Sequence, residues 1–344
     1  MYSFIRSKSP LRLGLAGGGT DVSPYCDLYG GAILNATINL YAQTTIEPLT
    51  EKKIIIESID RREVEEFESA DVLPVNGKND LVKGIYNRII SNYSLQPLQF
   101  RIITHVDVPV GSGLGTSSSL VISILSAFVH WLKLPLGEYE IAQLAYDVER
   151  IDLGMAGGRQ DQYAAAFGGV NFMEFYKEDK VIVNPLRIKP QHLYELENNL
   201  VLYYTSQSRF SSAIIETQKK NVNEKNQASL EAMHHVKDQA IQMKEALLRG
   251  KIDEMGKILD YGFNHKKQMA AGISNPLIDE IYEAVKKAGC SGGKISGAGG
   301  GGFMFFYCPG NTKYKVIETL DTFPGYIRQF QFTKHGHFSW SVSS

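Results

Sequence analysis

The run Pro109-Val110-Gly111-Ser112-Gly113-Leu114-Gly115-Thr116-Ser117-Ser118-Ser119 leads straight into the apolar pattern Leu120-Val121-Ile122-Ser123-Ile124-Leu125. Glycines at alternate positions let the backbone curl and turn its N–H groups outward. The hydroxyls that follow stand at the N-terminus of a buried helix, where the dipole favours anions. This is the chemistry of a polyphosphate cradle. It is not the lysine-bearing G-x-x-x-x-G-K-[ST] loop, because no lysine follows Gly115 until Lys133. Nor is it the dinucleotide fingerprint: Thr116 stands where the third glycine belongs, and no strand-ending acid follows about 20 residues on.

Other glycine-rich stretches carry side chains able to do chemistry. Ser9-Pro10-Leu11-Arg12-Leu13-Gly14-Leu15-Ala16-Gly17-Gly18-Gly19-Thr20-Asp21 sets a lone arginine on a strand and a Thr-Asp pair after a turn; read alone, it is an ordinary hairpin loop. Lys294-Ile295-Ser296-Gly297-Ala298-Gly299-Gly300-Gly301-Gly302-Phe303 closes a segment in which eight of the fourteen residues from Gly289 are glycine. A flexible linker would be polar on both sides, whereas this one feeds the apolar strand Phe303-Met304-Phe305-Phe306-Tyr307, so its glycines are expected to admit a close approach to the backbone. Between these lie Glu149-Arg150 and Gly157-Gly158-Arg159-Gln160-Asp161-Gln162-Tyr163. Taken alone, Glu149 reads as a solvated helix-end acid paired with Arg150, and Asp161 as a helix cap.

Together the motifs, in this order and at these separations, resemble those of the GHMP small-molecule kinases, the superfamily of galactokinase, homoserine kinase, mevalonate kinase and phosphomevalonate kinase. The resemblance covers nearly the whole chain. Within the superfamily, L-R-L-G-L-A-G-G-G-T-D-V-S-P-Y and G-G-R-Q-D-Q-Y are similar to the sugar-1-kinase branch that acts on D-glycero-D-manno-heptose 7-phosphate. Gly18-Gly19 stand where galactokinases usually read Glu-His, which points away from galactose.

The resemblance implies an α+β GHMP kinase fold: an N-terminal ATP-binding domain over 1–185, like domain 2 of ribosomal protein S5, and a ferredoxin-like C-terminal domain over 186–344. The active site is expected between them. It implies ATP at Pro109, Gly111, Ser112, Gly113, Leu114, Gly115, Thr116, Ser117 and Ser118, and Mg²⁺ at Ser117 and Glu149, a sparse oxygen set of the kind Mg²⁺ accepts alongside phosphate and water. Asp161 is the implied catalytic acid, acting as base or orienting the acceptor hydroxyl. Arg12 is expected to lower its pKa and to counter charge on the transferred group. Thr20 and Asp21, with Gly18 and Gly19, are expected on sugar hydroxyls, and backbone N–H groups of Gly299, Gly300 and Gly301 over substrate or phosphates. A phosphosugar also needs a basic anchor for its distal phosphate, for which Arg159 and Arg209, the latter flanked by serines, are the best-placed arginines outside the three motifs. The implied reaction phosphorylates C1 of the heptose 7-phosphate, giving the 1,7-bisphosphate. Two other readings use the same scaffold: a kinase for another acceptor, of the L-fucose or galactose type or an isoprenoid alcohol, and a non-catalytic nucleotide- or sugar-binding regulator. Ser117, Glu149 and Asp161 together argue against a regulator, which needs no complete metal and acceptor set.

The elements that must position these residues are legible as periodicities. Short apolar runs from Ile5 to Thr45, Ile54-Ile55-Ile56 and Phe100 to Thr104 read as strands, and Asp80 to Ile90 as a helix. Leu136 to Arg150 presents Ile141, Leu144, Ala145 and Val148 on one helical face. Leu230, Met233, Val236, Ala240, Met243 and Leu247 form an amphipathic stripe stopped by Gly250. A helix opens at Asn275-Pro276 and stops at Gly289. Phe330 to Lys334 and Phe338 to Trp340 alternate like strands, which places His335 and His337 in a strand.

The bulk composition excludes several classes. The chain has 344 residues, enough for two domains, and a net charge of −1 with no Lys/Arg cluster, so a nucleic-acid partner is not expected. No apolar run approaches the roughly 18 residues of a membrane span, and the N-terminus lacks the apolar core of a signal peptide; a cytoplasmic monomer or homodimer is expected. Cys26, Cys290 and Cys308 are scattered, which argues against disulfides and zinc. His234-His235 are expected to be solvated on the polar side of the long helix, and Arg61 to Glu68 to form a solvated turn and strand.

Overall fold

The computed structural model describes residues 4–207 and 212–343. A first segment, up to Pro185, runs β1 (Phe4–Ala16), α1 (Tyr25–Tyr29), β2 (Gly31–Pro48), β3 (Lys53–Ser58), β4 (Glu63–Glu68), α2 (Asp80–Tyr93), β5 (Phe100–Val106), α3 (Thr116–Leu132), α4 (Glu138–Asp147), α5 (Gln160–Phe167), β6 (Val170–Phe175) and β7 (Val181–Pro185), and a second starts at Pro190. The second runs α6 (Pro190–Asn199), β8 (Leu200–Tyr204), α7 (Ser212–Asn223), α8 (Gln227–Arg249), α9 (Met255–Met269), α10 (Pro276–Lys287), β9 (Gly292–Ile295), β10 (Phe303–Tyr307), α11 (Lys313–Leu320), β11 (Tyr326–Ile327) and β12 (Phe338–Val342).

Eight strands form one sheet in the order β12-β1-β2-β5-β3-β4, with β6 pairing β2 and carrying β7. The second sheet is β11-β8-β10-β9, entirely antiparallel. The architecture is the expected α+β one. β12 lies within the second segment but pairs with β1, Phe4 opposite Val342.

Burial sorts the apolar side chains into three layers. One face of the large sheet packs against α2 to α5 through Ile33, Ile46, Ile102, Val121, Leu125 and Phe128. The small sheet is buried on both faces because its strands alternate. Leu200, Leu202, Phe303 and Phe305 join Leu11, Leu13 and Leu15 of β1, while Val201, Tyr203, Met304 and Phe306 face the outer helices. The stripe read along α8 is core packing, with Met233 and Val236 in the outer layer and Met243 and Leu247 in the middle one. Asn226 caps this helix through Ser229 N, and Gly250 closes it at φ 73°. Asn275 caps α10 with Pro276 behind it. Among the described residues no helix is long and apolar enough to cross a membrane.

The tail differs from its expectation. Phe330 to Lys334 makes a single bridge, Phe332 to Ile38, in the stretch of β2 between its pairing with β6, which ends at Ala36, and its pairing with β5, which starts at Ala42. His335 and His337 precede β12, and His337 Nδ1 pairs with Ser126 Oγ at 2.8 Å. His234 is also no simple surface residue: its Nδ1 meets Tyr25 Oη at 2.9 Å.

Candidate active site

β1 delivers Arg12 by changing faces. Ser7 and Ser9 meet α3 and α5, with Ser7 Oγ on Ser123 O at 2.5 Å and Ser9 Oγ on Ala165 O at 3.4 Å. The register with β2 then slips between Pro10 and Leu11, and the odd-numbered leucines turn to the middle layer. The irregularity leaves Arg12 facing α5. Its Nε and Nη2 both reach Asp161 Oδ1, at 2.7 and 2.6 Å, and its Nη1 donates to Gly113 O at 2.6 Å and Ser296 Oγ at 3.5 Å. One buried guanidinium thus touches all three glycine motifs' neighbourhoods at once.

Gly111, Gly113 and Gly115 hold φ of 75°, 80° and 77°, the left-handed conformation that alternate glycines make available. The loop then enters α3 at Thr116. It is braced by the third motif: Phe303 N donates to Ser112 O at 2.9 Å, and a β-carbon on Gly113 would stand 2.6 Å from Ser296 O. Ser112 Oγ is buried with no protein partner. Pro109 and Gly111 are exposed, Leu114 and Ser118 buried, and Gly113, Gly115, Thr116 and Ser117 half-buried.

Glu149 is fully buried on a π-helical turn, Val148 to Asp152, that ends α4. Such turns recur at functional positions. Ser117 Oγ donates to its Oε1 and Ser118 Oγ to its Oε2, both at 2.7 Å, and Gln162 Nε2 to Oε2 at 2.5 Å. Its nearest cation, Arg150 Nη1, is 3.8 Å away. A buried carboxylate needs compensating charge, and Ser117 Oγ and Glu149 Oε1 converge as hard oxygen donors; the pair fits Mg²⁺. Among the described residues no cluster of three or more His, Cys, Asp or Glu could hold a metal. Glu149 is therefore not the solvated acid its bare context suggests.

Asp21 fastens the first motif to the helix that carries Asp161. Its Oδ2 accepts Arg159 N at 2.8 Å and Gln160 N at 3.0 Å, capping α5, and its Oδ1 accepts Gly19 N at 3.3 Å. Burial, reinforced by the charge of Asp161, raises its pKa against the opposing pull of these backbone donors. Thr20 is fully buried and its hydroxyl holds the turn, donating to Gly17 O and Ala32 O at 2.8 and 3.1 Å.

The remaining candidates lie in different settings. Gly299 to Gly301 are buried against Ile273 and Gln207, and Gly300 N donates to Ile273 O at 2.9 Å. Arg159 is buried, with Asp179 at 2.5 Å, Tyr176 O at 3.1 Å and the Tyr146 ring 5.3 Å away. Arg209 lies outside the described residues.

Two lysines join the site without having been singled out for it. Lys266, on α9, is buried beneath the first and third motifs, its Nζ donating to Gly297 O at 2.7 Å and Gly18 O at 3.4 Å. Burial, aided by Arg12, lowers its pKa to about 8, against the pull of Asp21 and Asp161. Lys294 donates to Gly14 O at 2.7 Å, and burial with Lys266 and Arg12 nearby holds it well below the usual lysine range. The available signal for Lys266 was a charge set in the apolar stripe Leu259-Phe263-Met269. The site can thus gather cations beside an anion cradle, a carboxylate held in register with them, and a buried acid backed by hydroxyls. That is the equipment of phosphoryl transfer, which depends on positioning and charge neutralisation.

Comparison with known proteins agrees. The family model for the GHMP kinases N terminal domain matches residues 80–169, and that for GHMP kinases C terminal matches residues 243–325. The D-glycero-alpha-D-manno-heptose 7-phosphate kinase of Campylobacter jejuni is 50% identical over 338 residues, 98% of this chain and 99% of that protein. A crystal structure of a D-glycero-D-manno-heptose 1-phosphate kinase from Bacteroides thetaiotaomicron superimposes with a TM-score of 0.85 at 46% identity, covering 99% of this chain and all of that one. Lactococcus lactis galactokinase shares the fold at 18% identity and a TM-score of 0.77, over 97% of this chain and 95% of its own. The motifs, the two sheets and these relatives place the chain in one family: it belongs to the GHMP kinases.

Proposed function

We propose that the chain transfers the γ-phosphoryl group of ATP to the C1 hydroxyl of D-glycero-D-manno-heptose 7-phosphate, yielding the 1,7-bisphosphate. The observation that carries the chemistry is the Arg12–Asp161 pair against the glycine loop. The sugar is supported by the near-full-length similarity to the Campylobacter jejuni heptose 7-phosphate kinase.

In this reading Arg12 occupies Asp161 Oδ1, while Oδ2 lies beside Gly115. Oδ2 takes the acceptor's proton, or orients that hydroxyl, as its oxygen bonds to the γ-phosphorus and the bond to ADP breaks. Ser117 and Glu149 would hold Mg²⁺, which when bound would neutralise phosphate charge. Burial and neighbouring positive charge lower the pKa of Lys266 and of Lys294, so an anion bound beside them would stabilise their charged forms. The test is a coupled ADP-release assay over a panel of sugars and phosphosugars, with phosphorus NMR of the product. Heptose 7-phosphate is expected to be turned over best, with a new anomeric phosphate; faster turnover of L-fucose, galactose or mevalonate would overturn the assignment.

A further inference from the structure

A phosphorylated acceptor needs a grip at the end of the sugar remote from the reaction. Arg159 is poorly placed to provide it, since Asp179 and the Tyr176 carbonyl already hold its fork. A cleft of about 470 Å³ opens beside Asp21, a volume suited to a small ligand. Tyr146, Arg150 and Gly157 line it together with Glu216, Lys219 and Asn223 of α7.

Two cations in this cleft are loosely held. Arg150 lies flat on Gly157, where a β-carbon would overlap its guanidinium. Its partners are Gly158 O at 3.4 Å and Glu149 at 3.8 Å, weak engagement for a group with five N–H donors. Lys219 Nζ reaches Glu216 at 3.4 Å, and Glu216, with 61% of its side chain exposed, is free to turn to solvent. Both cations line the one cleft, one from each segment, with the acid Asp21 bordering the same space.

We propose that Arg150 and Lys219 form the subsite for the distal phosphate monoester of the acceptor. The inference rests on the reading of the acceptor as a phosphosugar. Arg150 presents a planar fork for two phosphate oxygens and Lys219 a point charge, while Asp21 borders the part of the cleft that takes hydroxyls. The guanidinium occupies the volume of a side chain at 157, so a β-carbon there would displace it.

The test measures kcat/KM for heptose 7-phosphate and for the same heptose with a free 7-hydroxyl. Wild type is expected to prefer the phosphorylated sugar. Arg150→Ala is expected to raise KM for it by about tenfold to a hundredfold, the loss of a charge-assisted bond, and to reduce the preference by the same factor. Arg150→Lys recovers part of it, and Lys219→Ala, on a partly exposed helix face, reduces the preference by about threefold to tenfold. Circular dichroism and melting temperature confirm that each variant is folded. A loss shared equally by both sugars, or a raised Mg²⁺ requirement alone, would show that Arg150 acts through Glu149 and overturn the subsite. Full preference in the Arg150→Ala, Lys219→Ala double variant would do the same. A wild-type enzyme indifferent to the phosphate would overturn the phosphosugar reading itself, and the subsite with it.

Discussion

Arg12 and Asp161, 149 residues apart in the chain, share one carboxylate oxygen through two guanidinium nitrogens. The pair is mostly buried, and the same arginine holds the glycine loop at Gly113 O. Asp161 and the glycine loop are therefore positioned by one side chain.

Asp161→Asn keeps the size and one acceptor but removes the charge. We expect kcat to fall by about a hundredfold or more while KM for ATP and the melting temperature change little. Turnover within a few-fold of wild type would refute a proton-transfer role for Asp161. Arg12→Lys should lower kcat as well, since an ammonium cannot bond Asp161 and Gly113 with the same planar geometry.

Glu149→Gln leaves an acceptor for Ser117 and Ser118 but takes away the buried charge. The Mg²⁺ concentration giving half-maximal activity should rise by at least about tenfold, since even losing a group that merely orients a ligand costs that much. An unchanged Mg²⁺ titration would remove Glu149 from the metal site.

Lys266 supplies a pH signature. It faces Arg12, Lys294, Asp21 and Asp161, and its pKa falls from 10.5 to about 8. If its ammonium supports the reaction, activity should decline as pH rises through about 8, and Lys266→Arg should flatten that limb. Stability runs the other way. Below pH 8 both folded and unfolded chains hold the proton, so the cost of burying the charge is fully present. Between about 8 and 10.5 the unfolded chain binds the proton that the folded chain has released, so this contribution to stability rises with pH. Urea unfolding of wild type and Lys266→Met at pH 7.5 and 10 measures it: wild type should gain relative to the variant.

Gly113→Ala combines two penalties. At φ 80° the new residue is strained by about 1–2 kcal/mol, and its β-carbon meets the Ser296 carbonyl. We expect at least that loss of stability in urea, together with a raised KM for ATP because the loop must shift. Gly77→Ala, at φ 94° with open space around it, isolates the backbone cost.

What could be read from the sequence was local. The alternate glycines of the loop and the punctuation of α8 and α10 follow from short-range spelling, whereas Arg12, Ser117, Glu149 and Asp161 stand out only through the family resemblance; the structure pairs Arg12 with Asp161 and Ser117 with Glu149. Register and partner choice were not legible. No residue type announces that β1 changes faces after Pro10, and the alternation at Phe330 to Lys334 is that of a strand although its neighbour on β2 offers a single bridge. Arg159 fits a phosphate as well as it fits Asp179; only the fold decides between them. Lys266 escaped because helix lysines are usually solvated, and its burial depends on glycine turns from both ends of the chain packing over it.

β12 pairs along the outer edge of β1 from Phe4 to Lys8, so the strand carrying Arg12 is completed by Phe338 to Val342, made long after it. During synthesis the large sheet must wait, one edge unpaired, while the whole second segment emerges. A ribosome that stops before residue 338 releases a chain with every motif residue present and an open sheet edge beside the site, ready to pair with another nascent chain.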